Sequence, residues 1–473
     1  MPGPARLRFL LHRSRATRNR RRTSSKSGPR LDTVTATRFT PRTERIGSID
    51  VLRGIALLGI LLLNIIMFGQ PYAAYFNPVV DGATEGANLL SYELNWVFVE
   101  GAMRAIFSML FGAGVILFTS KSTTAEGDGF VRRLYFRRTF LLIAFGLVDM
   151  FALLWLGDIL YAYGLAGLVL YFFRNLSARS LAAIGATLVL IMVVAQTANT
   201  LALAEQRAAV DRVELAESGN TKPTSRDRQA ADRYLTMQAG HLPSAATNAR
   251  EIEARQSGYV VNVVIFAPDA WQLSTVDVFT SALWDVLAMM FLGMAFFKWH
   301  ILTGQRGVRF YGWFAAWGLA IGLPINVMEV YFAVTGNFTI DWTNPYFTPT
   351  YQLGRAATAC GYIGLVMLWC QSDSLRGLQN ALAAVGKMAL TNYLSHSVIC
   401  LFIFTGTGLA LFGQFERAEL YLIVLAIWTF QLVTSPLWLN RFRFGPLEFI
   451  WRWMTYGARP PQTLLGNPRI EPS

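Results

Sequence analysis

Ten apolar stretches, separated by loops whose Lys and Arg content alternates, constrain this chain more than any single motif does. The run 54–68 carries no charge and one strongly polar side chain, Asn64. With its flanks it reaches the roughly 20 apolar residues that a bilayer crossing takes. Further runs lie near 93–120, 139–156, 159–173, 181–204, 274–299, 310–334, 351–370, 387–412 and 420–438. Residues 70–92 hold no Lys or Arg, whereas 121–138 hold Lys121, Arg132, Arg133, Arg137 and Arg138. The positive-inside rule therefore sets the first segment outside and the second inside. Continued along the chain, the alternation brings Lys298, Arg306, Arg309, Arg376, Lys387, Arg441, Arg443 and Arg452 to the inner side. The expected fold is an all-α polytopic membrane helical bundle of ten transmembrane helices with both termini cytoplasmic.

Composition agrees: 53% of the 473 residues are hydrophobic and 15% are charged, more apolar surface than one soluble core would bury. The formal charge of +13 invites a nucleic-acid reading until it is located. Residues 1–45 hold thirteen Lys or Arg against Asp32 and Glu44, so the rest of the chain is near neutral and no basic groove is implied. The expected organisation is a basic disordered tail (1–45), an N-terminal five-helix half (46–204), a polar outer loop of mixed charge (205–258), a C-terminal five-helix half (259–457) and a short tail (458–473). The apolar run 259–266 stops at Pro268 and Asp269, too short to cross, and reads as an interfacial or re-entrant piece. Cys360, Cys370 and Cys400 lie in apolar runs without metal spacing and read as small hydrophobes. Met109-Leu-Phe-Gly-Ala-Gly and Met290-Phe-Leu-Gly-Met-Ala echo one another, a faint sign of duplication.

Ionisable groups within membrane spans cost at least ~2.5 kcal/mol each and mark a polar interior or a site. Asp50 and Arg53, three apart, share a helical face at the mouth of the first span. Glu100 and Arg104, four apart, can pair on the second. Asp149 has no partner nearby in sequence, and Arg104 is the nearest cation in depth. Asp158 sits in a short outer turn, where it serves either as an N-cap or as a site residue. Asp285 is again without a local partner. Glu329 and Arg355 lie near outer span ends, where reaching the interface is the simpler reading. His396 shares a face with Asn392 and is the sole imidazole within a span. It is either a hydrogen-bonded structural residue or a proton carrier, since only His titrates near neutrality unperturbed. Asn64, buried in the first span, needs a partner, which a neighbouring helix could supply.

Two strings carry a family resemblance. Arg45-Ile-Gly-Ser-Ile-Asp50-Val-Leu-Arg53-Gly54 with Asn64 after it resembles the opening of the YeiB family of bacterial membrane proteins. Gly157-Asp158-Ile159-Leu160 with Tyr163 three residues on, and the segment 386–397 with Gly445-Pro446-Leu447-Glu448 after it, are similar to further signatures of that family. Gln is usual there where His396 stands, and Arg where Lys387 stands. The opening also resembles that of transmembrane acetyltransferases of the heparan-alpha-glucosaminide type, whose active His falls where this chain has Tyr75. Another His of the family pattern, near residue 149, is likewise missing.

The resemblance implies a bacterial inner-membrane protein that passes an acyl group from a cytoplasmic donor, acetyl-CoA or another acyl-CoA, to a small-molecule, glycan or lipid acceptor at the outer face. Its catalytic candidates are His396, Asp158, Asn64 and Asp149. Arg53, Arg132 and Arg133 are the candidates for holding the donor phosphates, and Asp50, Arg53, Glu100, Arg104, Asp285 and Asn392 form a polar membrane network. No resident cofactor or metal and no nucleic-acid partner is expected, and a homodimer is compatible. The alternatives are a transporter of a small polar or ionic solute, or a non-catalytic membrane protein.

Overall fold

The computed structural model describes residues 47–120, 127–372, 374–458 and 460; the basic tail 1–45 and most of 458–473 lie outside them. Among the described residues every regular element is a helix. Seven helical segments are long and apolar enough to cross a membrane, and an eighth is formed if one bent pair counts as a span. They are α1 (Gly47–Gly69), the stretch Gly86–Thr119 made of α2 (Gly86–Phe98) and α3 (Ala102–Thr119), α6 (Ala178–Ser218), the stretch Tyr259–Lys298, α11 (Val308–Thr335), α12 (Tyr351–Gln371) and α15 (Arg417–Arg441). The bent pair is α13 (Arg376–Lys387) and α14 (Ala389–Phe404), turned by 79°. α4 (Gly127–Phe151) and α5 (Leu160–Phe173) complete the set of expected runs. α4 is less apolar because its first half carries Arg132, Arg133, Arg137 and Arg138, and α5 is short at 14 residues. A final amphipathic helix, α16 (Pro446–Tyr456), follows.

Two segments depart from the sequence reading. Residues 259–266 do not form a separate re-entrant piece: α9 (Tyr259–Gln272) runs through Pro268 into a π-helical stretch, Leu273–Ala282, and on into α10 (Leu283–Lys298). Pro268 lies inside this helix and lacks the amide that would bond the carbonyl four residues back, and the π-helical register begins five residues after it. The polar segment 205–258 is helical as well. α6 continues to Ser218 and is followed by α7 (Ser225–His241) and α8 (Ala245–Gln256), whose N-termini are capped by the Thr224 and Ser244 hydroxyls. These helices form a cap tied to the connecting loops. His241 Nε2 bonds the Phe338 carbonyl at 2.9 Å, Asn77 donates to the His241 carbonyl at 3.1 Å, and Gln256 donates to the Phe412 carbonyl at 2.8 Å.

α1 and α10 lie at the centre. α1 packs against α3, α12, α13, α14 and α15, and α10 against α3, α5 and α6. α6, α11 and α15 turn Leu190, Val194, Trp317, Leu422 and Leu437 outward, as helices bordering hydrocarbon do.

Several crossings bring backbones into contact through glycine, among them α11 with α12, where a Cβ at Gly318 would meet the Gly361 amide. On α1 and α13, a Cβ at Gly54 would meet the Leu382 carbonyl and one at Gly386 the Asp50 carbonyl. On α3 and α10, Gly112 faces the Met290 carbonyl and Gly293 the Met109 carbonyl. The two echoing strings are thus the opposed faces of one crossing, each glycine admitting the other's main chain.

Gly293→Val should lower the melting temperature of the detergent-purified protein by the equivalent of about 1–3 kcal/mol or more, whereas Gly114→Ala, with nothing within 4 Å of the added carbon, should leave it unchanged. Equal effects would mean that the crossing does not depend on backbone approach. A second test concerns the cap. Burial lowers the pKa of His241 from its ordinary 6.5, against the opposing influence of the Phe338 carbonyl and Asp341. The unfolded chain therefore takes up a proton that the folded chain resists, and stability falls as pH drops below about 6.5. Thermal melts between roughly pH 7 and pH 5.5 should show this loss in the wild type and a smaller one in His241→Gln.

Candidate functional site

The helix that begins at Gly86 breaks in the membrane at 99–101, where Gly101 adopts a φ of +67°. A break at this depth frees carbonyls that water cannot reach. Asn326 donates to the Val97 carbonyl at 2.8 Å and Tyr362 to the Phe98 carbonyl at 2.7 Å, which answers that need. A side chain at Gly101 would press on the Tyr351 hydroxyl and on Arg355.

The break turns Glu100 into the bundle. Its carboxylate accepts from Tyr75 at 3.1 Å and from Tyr351 at 2.7 Å. Arg104 does not pair with Glu100 directly; it donates to the Tyr351 hydroxyl at 2.8 Å, so Tyr351 links them. Nor does Arg104 pair with Asp149. Its carboxylate partner is Asp285 on α10, at 3.6 Å. Asp285 is held mainly by Arg355, whose Nη1 donates at 3.0 Å and whose Nη2 also contacts it, while Arg355 Nε donates to Gln352 at 2.8 Å. Arg355 and Glu329 do not reach the interface as expected: both are 1% exposed. Glu329 accepts from Thr350 and Trp96.

A second group gathers where α4 turns into α5. Asp149 is fully buried, and neither of its oxygens meets a donor at hydrogen-bonding geometry; Asp158 and the Ser397 hydroxyl are the polar groups beside it. Asp158 caps α5 as the sequence allowed, its Oδ2 accepting from the Tyr161 amide at 2.8 Å, while its Oδ1 is unmatched. Tyr393 accepts from Trp155 Nε1 at 3.2 Å and from the Ile159 amide at 3.1 Å. Its own hydrogen is thereby left for Asp158.

A third group surrounds His396 on α14. Gln431 of α15 donates through Nε2 to the Asn392 carbonyl and the Ser395 hydroxyl, both at 3.0 Å. Its Oε1 therefore faces His396 Nε2, at 3.1 Å. An acceptor oxygen there requires the hydrogen on Nε2, so Nδ1 carries the lone pair, and Nδ1 is buried without a partner. Asn392 donates to the Val385 carbonyl and to Ser435, both at 3.1 Å, a helix-to-helix role. Asn64 is half-buried on α1 and makes no side-chain hydrogen bond among the described residues.

At the inner end, Arg53 donates to Asp50 at 2.8 Å and to the Gly386 carbonyl at 3.3 Å. Arg138 lies over the Trp451 ring at 4.0 Å and feels the charges of Arg452 and Arg53. Arg132 and Arg133, on the same helix, are exposed. The cationic cluster is thus Arg53, Arg138 and Arg452, and Arg132 and Arg133 stand outside it. Glu448 caps α14 through the Leu390 and Thr391 amides at 2.7 and 3.1 Å.

Gln431, Tyr351, Tyr393 and Ser397 escaped the sequence reading. Gln431 alone left a signal, an amide amid the apolar run of α15.

These features define a polytopic helical membrane protein with titratable groups buried among its spans. The comparisons give its family. A family profile described as "Protein of unknown function (DUF418)" matches residues 296–458. The Escherichia coli (strain K12) "Uncharacterized protein YeiB" is 30% identical over 88% of this chain and 98% of its own length. The Bacillus subtilis (strain 168) "Uncharacterized protein YxaH" is 29% identical over 88% of this chain and 96% of its own. The chain belongs to the YeiB family. No solved structure matches it.

A double-mutant cycle on Arg104 and Asp285 should give a coupling of at least ~0.5 kcal/mol, whereas Arg104 and Asp149 should be additive within about that margin. The reverse pattern would contradict the arrangement around the broken helix.

Proposed function

We propose that this protein is a bacterial inner-membrane acyltransferase, with both termini cytoplasmic, that moves an acyl group from a cytoplasmic acyl-CoA to an acceptor at or beyond the outer face. The observation that carries the reading is the state of His396: Gln431 holds the hydrogen on Nε2 and turns the basic Nδ1 into the protein interior without a partner. A base oriented by a second group that is itself fixed is the arrangement general-base catalysis needs. His396 lies about 7 Å along α14 from Thr391 at its inner end.

In this reading Arg53, Arg138 and Arg452 hold the donor's phosphates at the inner face, since guanidinium groups suit phosphate geometry. The acceptor hydroxyl or amine attacks the thioester carbonyl while His396 Nδ1 takes its proton. The carbon–sulfur bond then breaks and the proton passes to the departing thiolate, which leaves acylated acceptor and free CoA. A second reading, transport of a small polar solute, draws support from the Arg104–Asp285–Arg355 network beside a broken helix, because discontinuous helices line solute sites in many transporters.

Purified protein incubated with labelled acetyl-CoA should release CoA and label an acceptor or the protein. His396→Gln should stay folded and lose roughly 10²-fold or more in turnover. Arg138→Ala should raise KM for the donor more than it lowers kcat. A folded His396→Gln enzyme with full activity would remove the histidine from the chemistry. CoA-independent solute uptake abolished by Asp285→Asn would favour the transporter.

A further inference from the structure

The buried charges of this bundle differ in how they are answered. Asp285 has Arg355 and Arg104, and Arg417 has Asp81 at 2.9 Å. Asp149 has no cation among the described residues: it is 0% exposed, neither of its oxygens makes a hydrogen bond of good geometry, and its polar neighbours are the Ser397 hydroxyl and a second carboxylate, Asp158. Two carboxylates side by side in a low-dielectric interior cannot persist without a positive charge between them. The groups at hand are all oxygens: both carboxylate oxygens of Asp149, Oδ1 of Asp158, and the Ser397 hydroxyl, itself 1% exposed. Tyr393 is occupied by two donors on one side and Asp158 on the other, so it orients Asp158.

An all-oxygen set of this kind selects a hard cation. Calcium takes six to eight oxygens and magnesium retains several waters. The protein supplies four here, and Trp155, in the turn that carries Asp158, stacks on Phe68 with ring centroids 3.9 Å apart. That turn is irregular, with Leu154 at a φ of +58°, and unwound backbone at this depth can add carbonyl oxygens to an ion.

We propose that Asp149, Asp158 and Ser397 form a sodium site at the junction of α4, α5 and α14. The site is independent of the acyl-transfer reading, and its test needs no turnover. The melting temperature of the detergent-purified wild type is followed against NaCl, with choline chloride making up constant ionic strength at fixed pH. A saturable rise with sodium is the expected result. Asp149→Asn should abolish the sodium-dependent part, and Ser397→Ala should weaken the apparent sodium affinity roughly tenfold. A melting temperature that is the same in sodium and choline would overturn the proposal, as would a sodium response undiminished in a folded Asp149→Asn protein. Stabilisation by acid alone, with no sodium response, would also overturn it and assign the positive charge to a proton shared by the two carboxylates. Should neither variant fold, the wild-type titration still decides.

Discussion

The clamp on Asp285 is the contact from which most of the interior follows. Arg355 reaches it from α12 and Arg104 from α3, so three helices are joined by one carboxylate. For Arg355 and Tyr351 to come this close to the second span, the chain there must lack a side chain, and Gly101 stands at that point. Its positive φ breaks the helix, the break turns Glu100 inward, and Glu100 receives Tyr75 from the segment after α1 and Tyr351 from α12. An ion pair in hydrocarbon is better tolerated when further hydrogen bonds support it, and Gln352 supplies one to Arg355 and Tyr351 one to Arg104.

The same requirement governs the main chain. Each carbonyl freed by the break would cost several kcal/mol if left bare in the membrane. Asn326 and Tyr362 come from two neighbouring helices to meet them, which makes the irregularity a part of the packing. Those two helices, α11 and α12, are themselves held together by a close crossing in which a Cβ at Gly318 would meet the Gly361 backbone and one at Gly322 the Thr358 backbone. Among the buried polar atoms without a hydrogen bond are Nδ1 of His396 and both oxygens of Asp149. Buried titratable groups left unmatched are where a ligand, an ion or a moving proton is to be sought.

Much of the architecture could be read from the chain alone. Long apolar runs have no alternative to burial in lipid or in one another, so the helices at 47–69, 308–335, 351–371 and 417–441 follow from composition. Asp158 at a helix start and Asn392 one turn from His396 are local relations, and both stand in the structure. The helical form of 205–258 was less legible, because mixed-charge sequences suit a solvated loop as well as a solvated helix and the caps at Thr224 and Ser244 are weak signals.

What the sequence by itself determined was the helical class and the membrane setting, both of which depend on neighbours a few residues apart. What only the tertiary structure decided was which charge answers which. Asp285 and Arg355 are separated by seventy residues, and His396 and Gln431 by thirty-five. Helices of similar apolarity can pair in many ways without a change in composition. The pairing is selected by backbone approach at glycine and by the satisfaction of groups on different helices, and neither leaves a periodic mark along the chain.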